Sequence, residues 1–443
     1  MKTILLLGAG RSSGSLIHYL LKNAEDKRFT LRIGDKEKRF AEDKINGNSS
    51  GVALQFDIEN EQQRSDEISK ADLVISLLPP ALHFLVAKEC LRFGKNLVTA
   101  SYVSKEILSL HEEAIEKNLL FLNECGLDPG IDHMSAMEII LKLKKQGATI
   151  TSFCSYTGGL IAPESIDNPW GYKFTWNPRN VILAGQGTAK YIQNGKYHYL
   201  PYHRLFSESV RITVDGVGKF DGYANRDSLA YRHHYGIENI PTLLRGTLRQ
   251  EGFCSAWQVF VTLGLTDDSF VVENSDQLSY RQFTEAFIPP SVMGSDLEEK
   301  IAHYCNIDPD GPSMEKIRST GILEEKPVGL KNASPAQILQ QLLEKKWTLK
   351  DGDKDMIVMQ HQFEYTVGGI GKKLVSSLVV KGDNQTDTAM AKTVGLPLGI
   401  AAIKILEGKF SLRGVQIPVH EDIFMPILEE LQEMGIRFIE SED

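Results

Sequence analysis

Cysteine is scarce in this 443-residue sequence, and what there is does not pair: Cys90, Cys125, Cys154, Cys254 and Cys305 are odd in number and far apart. That excludes a disulfide framework and a CxxC metal site, and it points to a reducing compartment. A basic stripe is also missing. Lys and Arg number 49 against 58 Asp and Glu, a formal charge of −9, so a phosphate backbone finds no clustered counter-charge and a nucleic-acid partner is not expected. His198 and His203, or the pair His233 and His234, stand in no metal-ligand spacing with cysteine or carboxylate, so no metal is expected. Met1 to Leu7 is broken by Gly8 too early for a signal peptide, and long apolar runs of membrane-spanning length are not evident. A cytoplasmic protein with a small-molecule partner and no membrane contact is the expectation.

What remains is an ordinary globular composition, 42% hydrophobic and 24% charged, long enough for roughly two to three domains of about 150 residues. From Thr3 to Gly126, apolar runs of strand length alternate with helical periodicity: TILLLG, TLRIGD, VALQFD, LVISLLP, NLVTAS and LLFLNECG. Leu-rich and β-branched runs linked by helices describe a doubly wound parallel sheet, covered on both faces, over residues 1–129. After GLDPGID the pattern changes to longer alternating segments with Gly-marked turns, TSFCSYTGG, RNVILAGQG, VRITVDGVG, IVMQHQFEY and LVSSLVVKG. These predict an α+β substrate domain with a mixed sheet over 130–386, with a small helical insert at about 277–350. The apolar, small-residue stretch TDTAMAKTVGLPLGIAAIKILEGKF predicts a helix that returns to cover the first lobe, within a C-terminal return over 387–443.

Gly8-Ala9-Gly10-Arg11-Ser12-Ser13-Gly14 follows the first strand and opens a helix. A close turn with exposed helix N-terminal amides is what a dinucleotide pyrophosphate needs, although the third glycine comes one residue later than in GxGxxG. Asp35, about 20 residues on at the end of the second strand, stands where a ribose-binding carboxylate belongs. Further strand ends complete the rim: Asp57 and Ile58, Leu78 and Pro79, Ser101 and Tyr102, and Leu127 after the sixth strand. In open parallel sheets ligands bind at the carboxyl ends of strands, so these are candidates by position, each with a plain turn role as the competing reading. The fold therefore predicts a nicotinamide dinucleotide cofactor.

GLDPGIDHM at 126–134, GGLIAPESIDNPWGYKFTWNPRNVILAG at 158–185, YANRDS at 223–228 and RGTLRQEGF at 245–253 resemble the saccharopine dehydrogenase (L-glutamate-forming) family, also called saccharopine reductase. The likeness covers nearly the whole chain. It implies a three-part subunit, usually a homodimer, that interconverts saccharopine with L-glutamate and 2-aminoadipate 6-semialdehyde in lysine metabolism. It also implies that Ser101, Tyr102 and Asp128 line the junction of cofactor and substrate, and that Arg226, Arg245, Gly246 and Thr247 hold substrate carboxylates. A guanidinium offers a carboxylate two parallel N–H donors, which suits a substrate with three carboxylates. Fungal members of the family typically carry a basic residue after strand two; Asp35 departs from that pattern and points to NAD, with NADP as the alternative. A related carboxynorspermidine-type dehydrogenase, or a dinucleotide-binding regulator without turnover, would share the lobes and differ in the pocket.

The cofactor would carry the hydride step, leaving orientation and proton transfer to the protein. Candidates for the proton are Asp128, Tyr102 and Cys154. Asp128 sits in an LDPG turn where Asp is common for turn reasons, and Cys154 competes as a small buried apolar residue. His133 reads as structural, and Trp170, Tyr172, Phe174 and Trp176 as an aromatic cluster belonging to the core.

Overall fold

A computed structural model describes residues 1–443, which divide into two compact units: 1–149 with 378–440, and 150–377 with 441–443. In the first, strands β1 (Lys2–Leu7), β2 (Phe29–Asp35), β3 (Gly51–Gln55), β4 (Leu73–Ser76), β5 (Asn96–Thr99) and β6 (Leu120–Leu122) stand where the apolar runs predicted them. They lie in the order β6-β5-β4-β1-β2-β3, all parallel, so the order in which strands are added to the sheet reverses between β1 and β4. A seventh strand, Gly414–Gln416, pairs with β6 and extends the edge. The sequence reading drew six strands, because three residues carry no alternation to read.

Both faces are covered. The helix Ala389–Leu406 lies against α1 (Gly14–Ala24), and a Cβ at Gly395 or Gly399 would press on Leu16 or Tyr19. The backbones approach that closely only because these positions lack side chains. By length and composition this helix could cross a membrane, yet 67% of it is buried, and it fills the place on the first lobe that its small residues predicted. The helix Ile131–Lys145 also belongs to this unit, so the boundary falls at 149 rather than 129: Lys145 pairs with Glu421 of the helix Glu421–Glu433, and the two helices are neighbours.

The second unit is built on a mixed nine-stranded sheet. Its strands are β7 (Thr149–Ile161), β8 (Thr188–Gln193), β9 (Lys196–Pro201), β10 (Val210–Val214), β11 (Gly218–Ala224), β12 (Thr242–Gln250), β13 (Asp355–Val367), β14 (Ile370–Lys381) and the short Ile439–Glu442. β11 is antiparallel to β12, which runs parallel to β7. One predicted strand is absent: RNVILAGQG begins as the helix Pro178–Ile182, because Asn177 accepts from the Arg179 N–H as N-cap and Pro178 takes the first helical position. The helical insert is present as Tyr280–Glu285, Leu297–Cys305, Pro312–Thr320 and Pro335–Trp347. Trp170, Tyr172 and Phe174 are buried and pack edge-on or tilted against Phe253, Trp257 and Trp347, while Trp176 is only half-buried at the edge of that core.

Candidate active site

The glycine turn joins β1 to α1. Gly8 has φ +102, and an added Cβ would come within 3.1 Å of the Leu77 carbonyl, so the turn needs glycine there. Above Gly10 a Cβ would meet nothing within 4 Å, which leaves the backbone open to a close-lying ligand. Gly14 already belongs to α1, and Arg11, Ser12 and Ser13 form a 3₁₀ turn whose leading N–H groups have no intrahelical acceptor. The late third glycine is thereby explained: one extra 3₁₀ turn precedes the helix.

Asp35 is fixed on two sides, Oδ2 accepting from the Ala9 N–H at 2.7 Å and Oδ1 from the Glu37 N–H at 2.9 Å. Lys44, in the last turn of α2 (Lys38–Ile45), reaches the same turn from its carbonyl side, touching Ala9 O and Gly10 O and donating to Ser13 Oγ at 2.8 Å. Burial lowers its ammonium to about 8, against the opposing pull of Asp35. Asp57 lies beside Lys36 at 3.4 Å, and Pro79 is exposed where it leads into a 3₁₀ turn with Leu78 half-buried before it. Ile58 departs from expectation: its side chain is in the core, leaving only its backbone for a rim.

Beyond β5, Ser101 accepts or donates through a hydroxyl chain that sequence reading missed. His83 Nδ1 lies 2.8 Å from Ser76 Oγ and its Nε2 2.7 Å from Ser101 Oγ, with the ring buried. Burial depresses its pKa to about 4, so the imidazole is neutral and offers one donor and one acceptor. The folded value lies below that of the unfolded chain, near 6.5, so the unfolded state takes up the proton first and stability is full only above about 6.5. Between pH 7 and pH 5 the free energy of unfolding, read from urea titrations, should therefore fall by about 1–2 kcal/mol from this residue, and the fall should be shallower in His83→Gln. Equal slopes in the two proteins would show that His83 does not titrate this way.

Tyr102 and Asp128 do come together, the phenol donating to Oδ1 at 3.4 Å. Beneath them is a buried charged network. Glu124 accepts from the Val103 N–H through Oε1 at 3.0 Å and meets His133 Nε2 through Oε2 at 2.9 Å, while His133 Nδ1 lies 3.6 Å from Asp132. Asp132 in turn accepts from the Gly130 N–H at 2.6 Å, where a Cβ would collide with the Gly126 backbone at φ +151. This ties Leu127, buried, and Asp128 to the loop after β5. His133 is structural, as its position suggested, but it works with Glu124, a partner nine residues away that no spacing rule selects.

In the second unit, register places Asn225, not Arg226, opposite Arg245: Ala224 of β11 pairs with Gly246 of β12, and the Asn225 N–H donates to Arg245 O at 2.8 Å, with Arg226 the next residue along, past the end of the strand. Arg245 is buried with its guanidinium 4.3 Å from the Tyr231 ring, whereas Arg226 is exposed in a left-handed conformation at φ +48. A Cβ on Gly246 would strike Tyr156 at 2.5 Å, and Thr247 is half-buried on the strand face shared with Arg245. Cys154 does not join them. It pairs with Leu244, one position out of step with Arg245, so it faces the other side of the sheet, in an apolar cluster with Tyr156 and Leu160. Burial raises its thiol to about 11, which removes it as a proton carrier near neutral pH. Arg249, to which the sequence reading gave no role, is buried among the rings of Tyr172, Tyr223 and Phe253.

Two family models match this chain: the saccharopine dehydrogenase NADP binding domain over residues 4–122 and the saccharopine dehydrogenase C-terminal domain over 126–436. The chain belongs to the saccharopine dehydrogenase family. It is 33% identical over 99% of both chains to a fission-yeast (Schizosaccharomyces pombe) protein named saccharopine dehydrogenase [NADP(+), L-glutamate-forming]. It is 37% identical to bovine mitochondrial alpha-aminoadipic semialdehyde synthase over 99% of its own length, but spans only 47% of that relative. Apo saccharopine dehydrogenase (L-Glu forming) from Saccharomyces cerevisiae superposes with a TM-score of 0.89 at 28% identity, each chain covered completely. The doubly wound parallel sheet with a mixed-sheet domain is therefore the fold of this family, and its first unit is a pyridine-nucleotide-binding domain.

Proposed function

We propose that the chain is an oxidoreductase that interconverts saccharopine with L-glutamate and 2-aminoadipate 6-semialdehyde in lysine metabolism. The observation that carries this reading is the match, end to end, with the fission-yeast enzyme of that name. The glycine turn suits a dinucleotide: a Cβ at Gly10 would meet nothing within 4 Å, the first N–H groups of its 3₁₀ turn have no intrahelical acceptor, and Asp35 at the end of β2 would supply the ribose-binding carboxylate. When bound, a nicotinamide supplies the hydride acceptor for the carbon beside the substrate's secondary amine. Gly8 to Gly14 with Asp35 would hold that cofactor, with the backbone of Asp57 and Ile58, Leu78 and Pro79, Ser101 and Leu127 along the rim. Arg226 and Arg245 supply forked donors for substrate carboxylates, and Tyr231 keeps the Arg245 plane in one orientation. Tyr102 and Asp128 share a proton between Oη and Oδ1, a site from which the amine can be protonated as water adds and glutamate leaves. Among nicotinamide cofactors, Asp35 favours NAD.

Purified full-length protein given saccharopine with NAD or NADP should produce reduced cofactor, followed by its absorbance, and L-glutamate in equal amount. Lysine and 2-oxoglutarate as products, or no turnover with either cofactor, would refute the assignment.

A further inference from the structure

The glycine turn is held between two opposite charges, only one of which belongs to the motif. Asp35, at the end of β2, takes the Ala9 N–H. Lys44 arrives from α2 and gathers the oxygens on the other side of the same peptides: Ala9 O, Gly10 O and Ser13 Oγ. Ser13 itself donates to Gly10 O at 2.9 Å, so the ammonium and the hydroxyl converge on one carbonyl. A peptide whose carbonyl is drawn inward turns the N–H groups that follow it outward, and those are the groups an anion needs at a helix start. The half-buried ammonium has no carboxylate in ion-pair range; its hydrogen-bond partners are the turn's own oxygens.

We propose that Lys44 is a positioning residue of the dinucleotide site, which holds the Ala9–Ser13 turn in the shape that presents its amides to the cofactor pyrophosphate. It adds a fixed positive charge beneath the turn, the sign that favours a pyrophosphate above it. The proposal rests on the dinucleotide-binding role of that turn.

The test is NADH binding to the full-length protein without substrate, followed by the cofactor's fluorescence well below the Tm. Lys44→Met keeps the length of the side chain and removes the charge and donors; it should raise the Kd for NADH by about tenfold, the effect of losing one set of charge-assisted hydrogen bonds. Lys44→Arg restores charge and donors and should stay within about threefold of wild type. KM for saccharopine, measured at saturating NADH-forming cofactor, should not move. A Lys44→Met protein with unchanged far-ultraviolet circular dichroism and wild-type Kd overturns the proposal, as does a Lys44→Arg protein as weak as Lys44→Met, which would assign the effect to packing alone. Wild-type protein that binds neither NADH nor NADPH would instead overturn the dinucleotide role of the turn itself.

Discussion

Arg245→Ala is expected to lower kcat/KM for saccharopine by roughly 30- to 1,000-fold, equivalent to about 2–4 kcal/mol, while leaving the Kd for NADH within about twofold. The size follows from burial. Arg245 lies inside β12 with only a small part of its surface exposed and its plane stacked on Tyr231, so a carboxylate that meets it does so away from bulk water, where losing one partner leaves the other charge desolvated and unpaired. Arg226 is exposed, so water screens its attraction and Arg226→Ala should cost less than Arg245→Ala. Arg245→Lys should recover only part of the loss, since an ammonium cannot offer two parallel donors. The change also removes packing against Tyr231, and a lowered Tm alone would not distinguish the two roles. The distinction lies in the kinetics: a structural defect lowers the active fraction and so kcat at unchanged KM, whereas loss of carboxylate binding raises KM at constant cofactor affinity. Wild-type kcat/KM in Arg245→Ala would remove the residue from substrate recognition.

Much of the first unit was legible because its strands are buried on both faces and therefore read as unbroken apolar runs, and because Gly8 with Asp35 mark the two ends of a βαβ element. The second unit was read less well. β12, which carries Arg245, reads TLLRGTLRQ, two arginines in a buried strand, and a polar strand of that kind defies a rule that equates burial with apolar composition. Its charges are tolerated by contacts made through the fold: Tyr231 for Arg245 and the three rings around Arg249. β8 and β9 form a hairpin about Asn194 and Gly195, an Asn-Gly pair of the kind that marks a two-residue hairpin turn.

The site residues show the same division. Motif spacing selects positions that lie near one another along the chain, and so it marks the glycine turn and Asp35, while Tyr102 and Asp128 are marked by the family resemblance. It could not find Lys44, nine residues past Asp35 on another element, nor His83 between Ser76 and Ser101, nor the Glu124 and His133 pair. Each is a polar group whose partner is chosen by three-dimensional packing, and each is buried or half-buried, where hydrogen bonding is obligatory. Cys154 failed for the opposite reason. A residue's type suggested chemistry, and the strand's two-residue alternation sent the side chain to the apolar face.

On the proposed role of Asp35 at the ribose, kcat/KM for NAD should exceed that for NADP by roughly tenfold to several-hundredfold, equivalent to about 1–4 kcal/mol. The relatives argue the other way, since the fission-yeast protein carries NADP(+) in its name. Two features of this chain outweigh that. Asp35 cannot readily turn aside, because both carboxylate oxygens accept backbone N–H groups, from Ala9 and from Glu37; a 2′-phosphate arriving at the ribose position meets a fixed like charge. The basic residues near such a phosphate already face carboxylates, Lys36 with Asp57 and Glu59, Lys38 with Glu42 and Arg39 with Asp43, in exposed pairs that water screens. Arg11, exposed at the turn, is a further cation able to favour NADP. Asp35→Ser should therefore raise kcat/KM for NADP and lower it for NAD, closing most of the gap, and Arg11→Ala should widen it. Both cofactors must be compared at one salt concentration, because screening reduces repulsion and attraction alike. A wild-type ratio in favour of NADP would mean that Arg11 outweighs Asp35, and Asp35→Ser would then change the ratio little.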